Sequence, residues 1–197
     1  LKRLEDAERD GDTIYALVKG VGSSSDGKGD AIYAPSSPGQ KKALEAAYEA
    51  AGVTPDTIEL LEAHGTGTMK GDEVEAAALT QVYKTDEDSK RSSWVALGSV
   101  KSQIGHTKSA AGAAGLIKAA LALHHKVLPP TIKVDQPADS VAPGTTPFYV
   151  NTTQRPWVSN PAHPRRAAVS AFGFGGSNFH MVMEEYQPKK SAADWDG

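Results

Sequence analysis

The chain has 197 residues, of which 39% are hydrophobic and 23% charged, a composition typical of a folded globular domain. Its net charge of −3 gives no basic surplus, which argues against nucleic acid or a membrane surface as the main partner. The absence of cysteine excludes disulfides, thiolate metal sites and cysteine catalysis within this chain, and it fits a cytoplasmic protein. The chain begins at Leu1 without a Met or a signal-peptide pattern, and we expect it to be part of a larger polypeptide.

The N-terminal quarter of the chain predicts a strand, a loop and a helix in that order. An apolar run at residues 14–21 is bounded by Gly-rich segments and predicts a strand. Residues 23–37 are rich in Gly, Ser and Asp and predict a loop. We expect the helix to have Ser37 as its N-cap, Pro38 in its first position and Gly52 as its stop.

The middle of the chain repeats this alternation. Residues 58–61 predict a strand, and apolar residues at helical spacing begin again near Gly71. Residues 95–100 have the length and character of a buried parallel strand. Residues 107–125 predict the longest helix, which is apolar on nearly all sides and is therefore expected to be buried between layers.

The C-terminal third predicts a long connection followed by a hairpin. Residues 130–164 are rich in proline and predict an ordered surface connection, with a possible edge strand at 148–150. Two strand-like runs at 167–172 and 178–184 flank a glycine-rich turn and predict a β-hairpin. We expect residues 187–197 to be a polar tail or linker.

Strand and helix alternation ending in a hairpin predicts an α/β fold with a mixed sheet and helices on its faces. Ligands in such folds bind beyond the carboxyl ends of the strands. His64, Lys101 and the loop at 173–177 each follow a predicted strand directly. We therefore expect these three segments to converge at one edge of the sheet.

His64 is the first candidate for chemistry. It is followed by alternating Gly and Thr up to Thr68, where glycines permit close approach of a substrate and the hydroxyls of Thr66 and Thr68 can hydrogen-bond to it. The alternative is a capped turn with a hydrogen-bonded histidine.

Lys101 and His106 form the second candidate pair. His106 lies at the mouth of the predicted buried helix, where the helix dipole disfavours a protonated ring, so a neutral imidazole can donate an N–H to an oxygen that gains negative charge. The alternative for Lys101 is a surface lysine after a strand.

Asp72 and Glu75 lie in the first turn of a predicted helix. They suit the helix dipole, and capping alone would explain them. Alternatively, one of them pairs with Lys101 and holds it charged and oriented. Both roles are compatible.

Two further patterns carry less chemistry. The glycine-rich loop at 173–178 joins two strands instead of opening a helix, so it fails the context of a dinucleotide fingerprint and indicates either backbone N–H donors for a substrate or a plain hairpin turn. None of the six histidines has the i, i+4 helical spacing of a zinc site, and no metal is expected. We expect His163 and His180 to have surface or packing roles.

Three motifs, at residues 62–68, 98–106 and 170–178, together resemble the β-ketoacyl synthase (ketosynthase) family in order and separation. The resemblance covers residues 1–186 and corresponds to the C-terminal half of a ketosynthase. It implies a thiolase-like fold, in which two similar halves form an αβαβα arrangement. In that family the nucleophilic cysteine lies in the N-terminal half, which this chain does not contain. The sequence of residues 1–16, with its charged segment at 5–12, resembles ketosynthases of iterative polyketide-type synthases, particularly polyunsaturated fatty acid synthases.

The resemblance implies an acyltransferase that carries out decarboxylative Claisen condensation of a malonyl thioester with an acyl-enzyme. In that family, His64 and His106 would donate hydrogen bonds to the malonyl thioester oxygen, and Lys101, supported by Glu75 and Asp72, would hold their arrangement. The resemblance also implies that the pantetheine arm or substrate is contacted by Thr66, Thr68 and Gly175. It implies that Phe174 acts as a gate beside the cysteine.

The implied partners are the missing N-terminal half, an acyl carrier protein that presents substrates on a phosphopantetheine arm, and a second copy of the full domain in a homodimer. No cofactor is expected on this chain. The alternative is a non-catalytic ketosynthase-like partner such as a chain-length factor, and a thiolase ranks third because thiolases place a second cysteine in this half. In either case we expect the isolated chain to lack condensing activity.

Overall fold

The computed structural model describes residues 1–27, 34–84, 92–144, 146–158, 160–173 and 175–188. Within them a six-stranded sheet lies between two helices on one face and one helix on the other. The helices are α1 (Leu4–Asp10), α2 (Ser37–Ala51), α3 (Met69–Tyr83), α4 (Lys101–Ile104) and α5 (Ala111–His125). The strands are β1 (Leu17–Ser25), β2 (Leu60–Glu62), β3 (Val95–Gly98), β4 (Val127–Leu128), β5 (Phe148–Val150), β6 (Arg155–Pro156), β7 (Arg166–Gly173) and β8 (Ser177–Glu184).

The sheet has the strand order β1-β8-β7-β2-β3-β5. Strands β7, β2, β3 and β5 are mutually parallel, and β8 is antiparallel to both of its neighbours. The predicted mixed sheet, the C-terminal hairpin and the edge strand at 148–150 are therefore confirmed. Strands β4 and β6 form a separate two-stranded ladder.

Strand β1 extends beyond its predicted end. It continues through residues 23–25, which the sequence pattern predicted to be a loop, because these serines pair with residues 177–179 of β8. An antiparallel partner satisfies the backbone polar groups whatever the side chains are, so a polar strand end is stable here.

Helix α2 begins one residue earlier than predicted. Ser36, rather than Ser37, is the N-cap, and its Oγ accepts a hydrogen bond from the Gly39 N–H at 3.4 Å. Pro38 remains in the first turn, where its missing N–H costs nothing. Gly52 ends the helix in the left-handed conformation with φ of 65°, as predicted.

Helix α2 lies directly on β1, and two glycines make this possible. A Cβ on Gly22 would lie 2.0 Å from the Ala43 carbonyl oxygen, and one on Gly20 would lie 2.5 Å from that of Ala47. Any larger residue would push the helix away from the sheet.

The two faces of the sheet carry separate hydrophobic cores. Helices α2 and α3 bury Leu44, Leu79 and Tyr83 against one face, and α5 buries Ala119 and Leu123 against the other. Strand β7 shows the expected alternation, since Ala168 contacts the first core while Ala167 and Val169 contact the second.

The prediction for residues 107–125 was wrong in two respects. Helix α5 starts only at Ala111, after a 3₁₀ turn at Lys108–Ala110, and it has 15 residues, as do α2 and α3. It is also buried on one side only, since Ile117 is 59% exposed and Leu121 41% exposed. The sheet of this chain covers one side of this mostly apolar helix and leaves the other side open. No helix in the described ranges is long and apolar enough to cross a membrane.

Candidate active site

The carboxyl ends of β2, β3 and β7 bring the predicted segments together. His64 follows β2 after one intervening residue, Lys101 opens α4 just beyond β3, and Phe172 lies near the end of β7. The imidazole centroids of His64 and His106 are 5.6 Å apart with the rings nearly perpendicular, and the Phe172 ring is 5.7 Å from that of His64. The predicted convergence of three segments at one sheet edge is confirmed.

Glu75 fixes the backbone of the His64 loop. Its Oε1 accepts the His64 N–H at 2.8 Å and its Oε2 accepts the Gly65 N–H at 2.9 Å. Glu75 is only 5% exposed, and burial raises its pKa from 4.5 to about 7, although the two N–H donors lower it. The carboxylate therefore holds the loop that carries His64 from inside the protein.

Asp72 performs a related task one turn earlier on the same helix. Its Oδ1 accepts the Gly67 N–H at 3.3 Å, and burial raises its pKa while the backbone donors of the loop lower it. The hydroxyls of Thr66 and Thr68 lie 3.0 Å apart in the loop between these contacts. The first turns of α3 and the Gly-Thr loop thus form one hydrogen-bonded unit.

His64 is neutral at pH 7. Burial lowers its pKa to about 4, and the electrostatic effects of Lys101 and of the His106 ring lower it further. Its Nδ1 is buried and has no hydrogen-bond partner among the described residues, which leaves Nε2 as the ring nitrogen that can meet a ligand.

His106 has a defined tautomer. Its Nδ1 accepts the Lys108 N–H at 3.0 Å, so Nδ1 carries no proton and Nε2 is the N–H donor. Partial desolvation lowers its pKa, as do the charges of Lys101 and Lys108. Lys108 adopts a φ of 54°, a left-handed conformation that turns its N–H toward the ring. His106 is thus prepared as a neutral hydrogen-bond donor.

Lys101 is half-buried beside these rings. Burial lowers its pKa, whereas the carboxylates of Glu62 and Glu75 raise it. Within the described chain, neither Glu75 nor Asp72 forms a direct ion pair with Lys101; both oxygens of Glu75 and Oδ1 of Asp72 accept backbone N–H groups instead. The predicted pairing is therefore an electrostatic interaction through space and not a contact.

Two cavities flank the Gly-Thr loop. One of about 680 Å³ is lined by His64, Thr66, Thr68 and Phe172. The other, of about 650 Å³, lies between α3 and the proline-rich segment and also reaches Thr66 and Lys101. The site is therefore accessible to a ligand from two sides of the same loop.

The hairpin turn between β7 and β8 lies beside the first cavity. Gly175 and Gly176 have φ of 85° and 76°, and the Gly176 N–H donates to the Gly173 carbonyl oxygen at 3.2 Å. Gly175 is exposed at the tip, and its predicted contact with substrate stays a prediction. Phe174 lies outside the described residues, and so does its predicted role as a gate.

The sequence did not predict a pair of charged residues that lies behind the site. Glu62 and Lys118 form a buried ion pair of 2.7 Å, and Glu62 Oε1 also accepts the Val100 N–H at 2.6 Å. The signal was present: Lys118 is a charged residue within an otherwise apolar helix, and a buried charge requires a partner.

The remaining histidines lie apart from this site. His180 is 1% exposed, and its ring bonds to Ser170 at 3.0 Å and to the Tyr48 hydroxyl at 3.2 Å, which confirms the predicted packing role. His163 bonds to Asn160 at 3.0 Å. The described ranges contain no cluster of three His, Cys, Asp or Glu side chains that could hold a metal ion.

Solved ketosynthase structures share this fold at 40–45% sequence identity. A ketosynthase from module 6 of the bacillaene synthase of Bacillus subtilis matches with a TM-score of 0.88 and 45% identity, over 95% of this chain and 33% of that one. Ketosynthase twelve of the bacillaene synthase of Bacillus amyloliquefaciens matches with a TM-score of 0.88 and 40% identity, over 96% of this chain and 33% of that one. The fold is accordingly thiolase-like, as expected from the motifs.

Sequence comparisons agree. Residues 15–135 match the model of the family described as "Beta-ketoacyl synthase, C-terminal domain". Over 98% of its length the chain is 48% identical to one of the polyunsaturated fatty acid synthase proteins of Thraustochytrium, and over 96% it is 46% identical to polyketide synthase PksL of Bacillus subtilis. It spans only 7% and 4% of those proteins. The chain belongs to the β-ketoacyl synthase family and corresponds to the C-terminal ketosynthase domain found in polyketide and polyunsaturated fatty acid synthases.

Proposed function

We propose that the chain supplies the histidine half of an active site for β-ketoacyl-[acyl carrier protein] synthesis by decarboxylative condensation. The single observation that carries the proposal is the pair of neutral imidazoles, His64 and His106, whose centroids lie 5.6 Å apart beside Lys101. Neutral imidazoles can donate an N–H to an oxygen that acquires negative charge in the transition state, and preorganised donors need no rearrangement at the moment of reaction.

The reaction has two steps at this site, a decarboxylation and a condensation. The bond between the malonyl carboxylate and the α-carbon breaks, carbon dioxide leaves, and the electron pair forms an enolate on the thioester oxygen, to which His64 and His106 donate. The α-carbon then attacks the carbonyl carbon of an acyl group held as a cysteine thioester. The carbon–sulfur bond breaks, the β-ketoacyl product remains on the carrier protein, and the cysteine leaves as thiolate.

The cysteine and the acyl pocket belong to a part of the domain that this chain does not contain. We assign that partner, the N-terminal half, to the open side of α5, where Ile117 and Leu121 are exposed. An acyl carrier protein would present the malonyl group on its phosphopantetheine arm, with Thr66 and Thr68 lining its path. The isolated chain is accordingly proposed to be inactive, and the complete domain to be an acyltransferase and a homodimer.

The test is malonyl decarboxylation by the complete domain. We expect His64→Ala and His106→Ala each to reduce the rate by about 10²- to 10³-fold, the usual cost of one oxyanion donor. His163→Ala, at a histidine outside the site, serves as the matched control. Unchanged rates in both site variants would refute the proposal.

The second candidate is a non-catalytic ketosynthase-like partner such as a chain-length factor. Retention of both donor histidines in an ordered site argues against it. The residue at the nucleophile position of the N-terminal half distinguishes the two, because a cysteine supports the condensing enzyme and a glutamine supports the non-catalytic partner.

A further inference from the structure

The buried ion pair of Glu62 and Lys118 lies behind the site and has no part in the proposed reaction. The Lys118 ammonium donates to Glu62 Oε2 at 2.7 Å. The lysine side chain is 10% exposed and the glutamate side chain 3% exposed. A buried pair of this kind is costly to form and adds little net stability, so stability alone does not account for it.

The surrounding residues leave room for the pair. A Cβ on Gly115 of α5 would lie 3.0 Å from Glu62 Cγ, and a Cβ on Gly98 of β3 would lie 3.4 Å from Lys118 Nζ. The Thr131 hydroxyl occupies the adjacent space and accepts the Ser99 N–H at 3.3 Å. The pair is therefore enclosed on several sides, which restricts where both charged groups can lie.

Glu62 connects the pair to Lys101. Its Oε1 accepts the Val100 N–H at 2.6 Å, and Val100 is the N-cap of α4, the helical turn that Lys101 opens. A carboxylate on this N–H anchors the N-cap of the turn that carries Lys101.

We propose that Glu62, held by Lys118, is a positioning residue for Lys101: its carboxylate anchors the turn at Val100 and keeps a negative charge close to the lysine. The proposal rests on the proposed function for its effect on catalysis, but the charge coupling is independent of it. The charged groups that act on Lys101 are Glu62 from β2, Glu75 from α3 and Lys118 from α5.

The two members of the pair have opposite effects on Lys101. Burial lowers the lysine's pKa first, the carboxylates of Glu62 and Glu75 raise it, and the Lys118 charge lowers it. Glu62→Gln keeps the shape and an oxygen for the Val100 N–H but removes the charge. Glu62→Gln should therefore lower the Lys101 pKa. Lys118→Met removes a positive charge and should raise the Lys101 pKa.

The experiment measures the Lys101 Nζ titration by NMR in the complete domain with labelled lysine, assigned with Lys101→Arg. Shifts of opposite sign in the two variants support the proposal, and Lys118→Arg should return the titration to that of the wild type. Absent shifts, or shifts of the same sign, overturn it, because loosened packing alone has no reason to follow the sign of the removed charge.

A double variant and a control variant complete the experiment. If Lys118→Met fails to fold, the double variant Glu62→Gln/Lys118→Met replaces it, and its Lys101 pKa should lie above that of Glu62→Gln alone. Glu185→Gln, which alters the similarly buried pair with Arg165 at the far end of the hairpin, should leave Lys101 unchanged.

Activity separates this inference from the proposed function. We expect Glu62→Gln to decarboxylate malonyl thioester roughly 10- to 100-fold more slowly, as small misplacements of site groups do, and Lys118→Arg to keep most of the wild-type rate. Wild-type rates in the His64 and His106 variants would defeat the proposed function while leaving the lysine titration to decide the coupling. A wild-type rate in Glu62→Gln, with the histidine variants inactive, would defeat the positioning role alone.

Discussion

Replacing Glu75 by Gln should remove a pH dependence of stability that the wild type carries. Burial raises the pKa of Glu75 from 4.5 to about 7. Between these two values the folded chain binds more protons than the unfolded chain, so stability falls as pH rises from about 5 to about 7. At about 1.4 kcal/mol for each pH unit between them, the charged carboxylate costs the folded state about 3 kcal/mol above pH 7.

Gln cannot ionise, and it also offers one oxygen for two N–H groups. The variant leaves either the His64 or the Gly65 N–H without its acceptor, at a cost of about 1–3 kcal/mol at every pH. We therefore expect the variant to be less stable than the wild type at about pH 5 and as stable or more stable at about pH 8. The difference in free energy of unfolding should change by about 3 kcal/mol between them.

The assay is urea unfolding of the complete domain at the two pH values, followed by tryptophan fluorescence. The lowered pKa values of His64 and His180 make stability fall in acid, but they affect both proteins and cancel in the difference. Glu49→Gln, on the exposed side of α2, is the matched control and should leave the difference constant. Parallel stability curves for Glu75→Gln and wild type would refute the reasoning.

Three further predictions concern packing. Gly22→Ala should destabilise by about 2–3 kcal/mol through its overlap with helix α2, whereas Gly112→Ala, whose nearest neighbour outside its own helix is the Ala171 Cβ at 3.2 Å, should cost less in thermal melts because its overlap is smaller. Tyr83→Phe removes one hydrogen bond from the buried Tyr48 hydroxyl and should cost about 1 kcal/mol in urea unfolding. The isolated chain should associate through the open side of α5, and Ile117→Glu/Leu121→Glu should reduce that association in analytical ultracentrifugation.

Each of these has a result that contradicts it. Equal melting temperatures for the Gly22 and Gly112 variants would mean that α2 can move away from β1 at no cost. A Tyr83→Phe variant as stable as the wild type would mean that the hydroxyl contributes nothing net. A monodisperse, cooperatively unfolding monomer of the unmodified chain would show that the open side of α5 needs no cover.

Much of the fold follows from local chemistry. The parallel strands at 58–61 and 95–100, the stop at Gly52 and the terminal hairpin were predictable because apolar runs and glycine punctuation act over a few residues. The end of β1 was not predictable, because its serines are held by pairing with β8, a partner more than 150 residues away in sequence. The exposed side of α5 was also hidden, since an apolar sequence does not show how many of its faces are covered.

The site divides in the same way. The sequence alone pointed to His64, Lys101 and His106, because the ends of parallel strands are where ligands bind in such a fold. Only the tertiary structure decided how they are held. In the folded chain the Glu75 carboxylate accepts hydrogen bonds from the backbone of the His64 loop and does not contact Lys101. The Lys108 N–H sets the tautomer of His106. Hydrogen bonds have direction and each oxygen accepts few of them, so the partner of a buried charge depends on which donor the fold brings within reach.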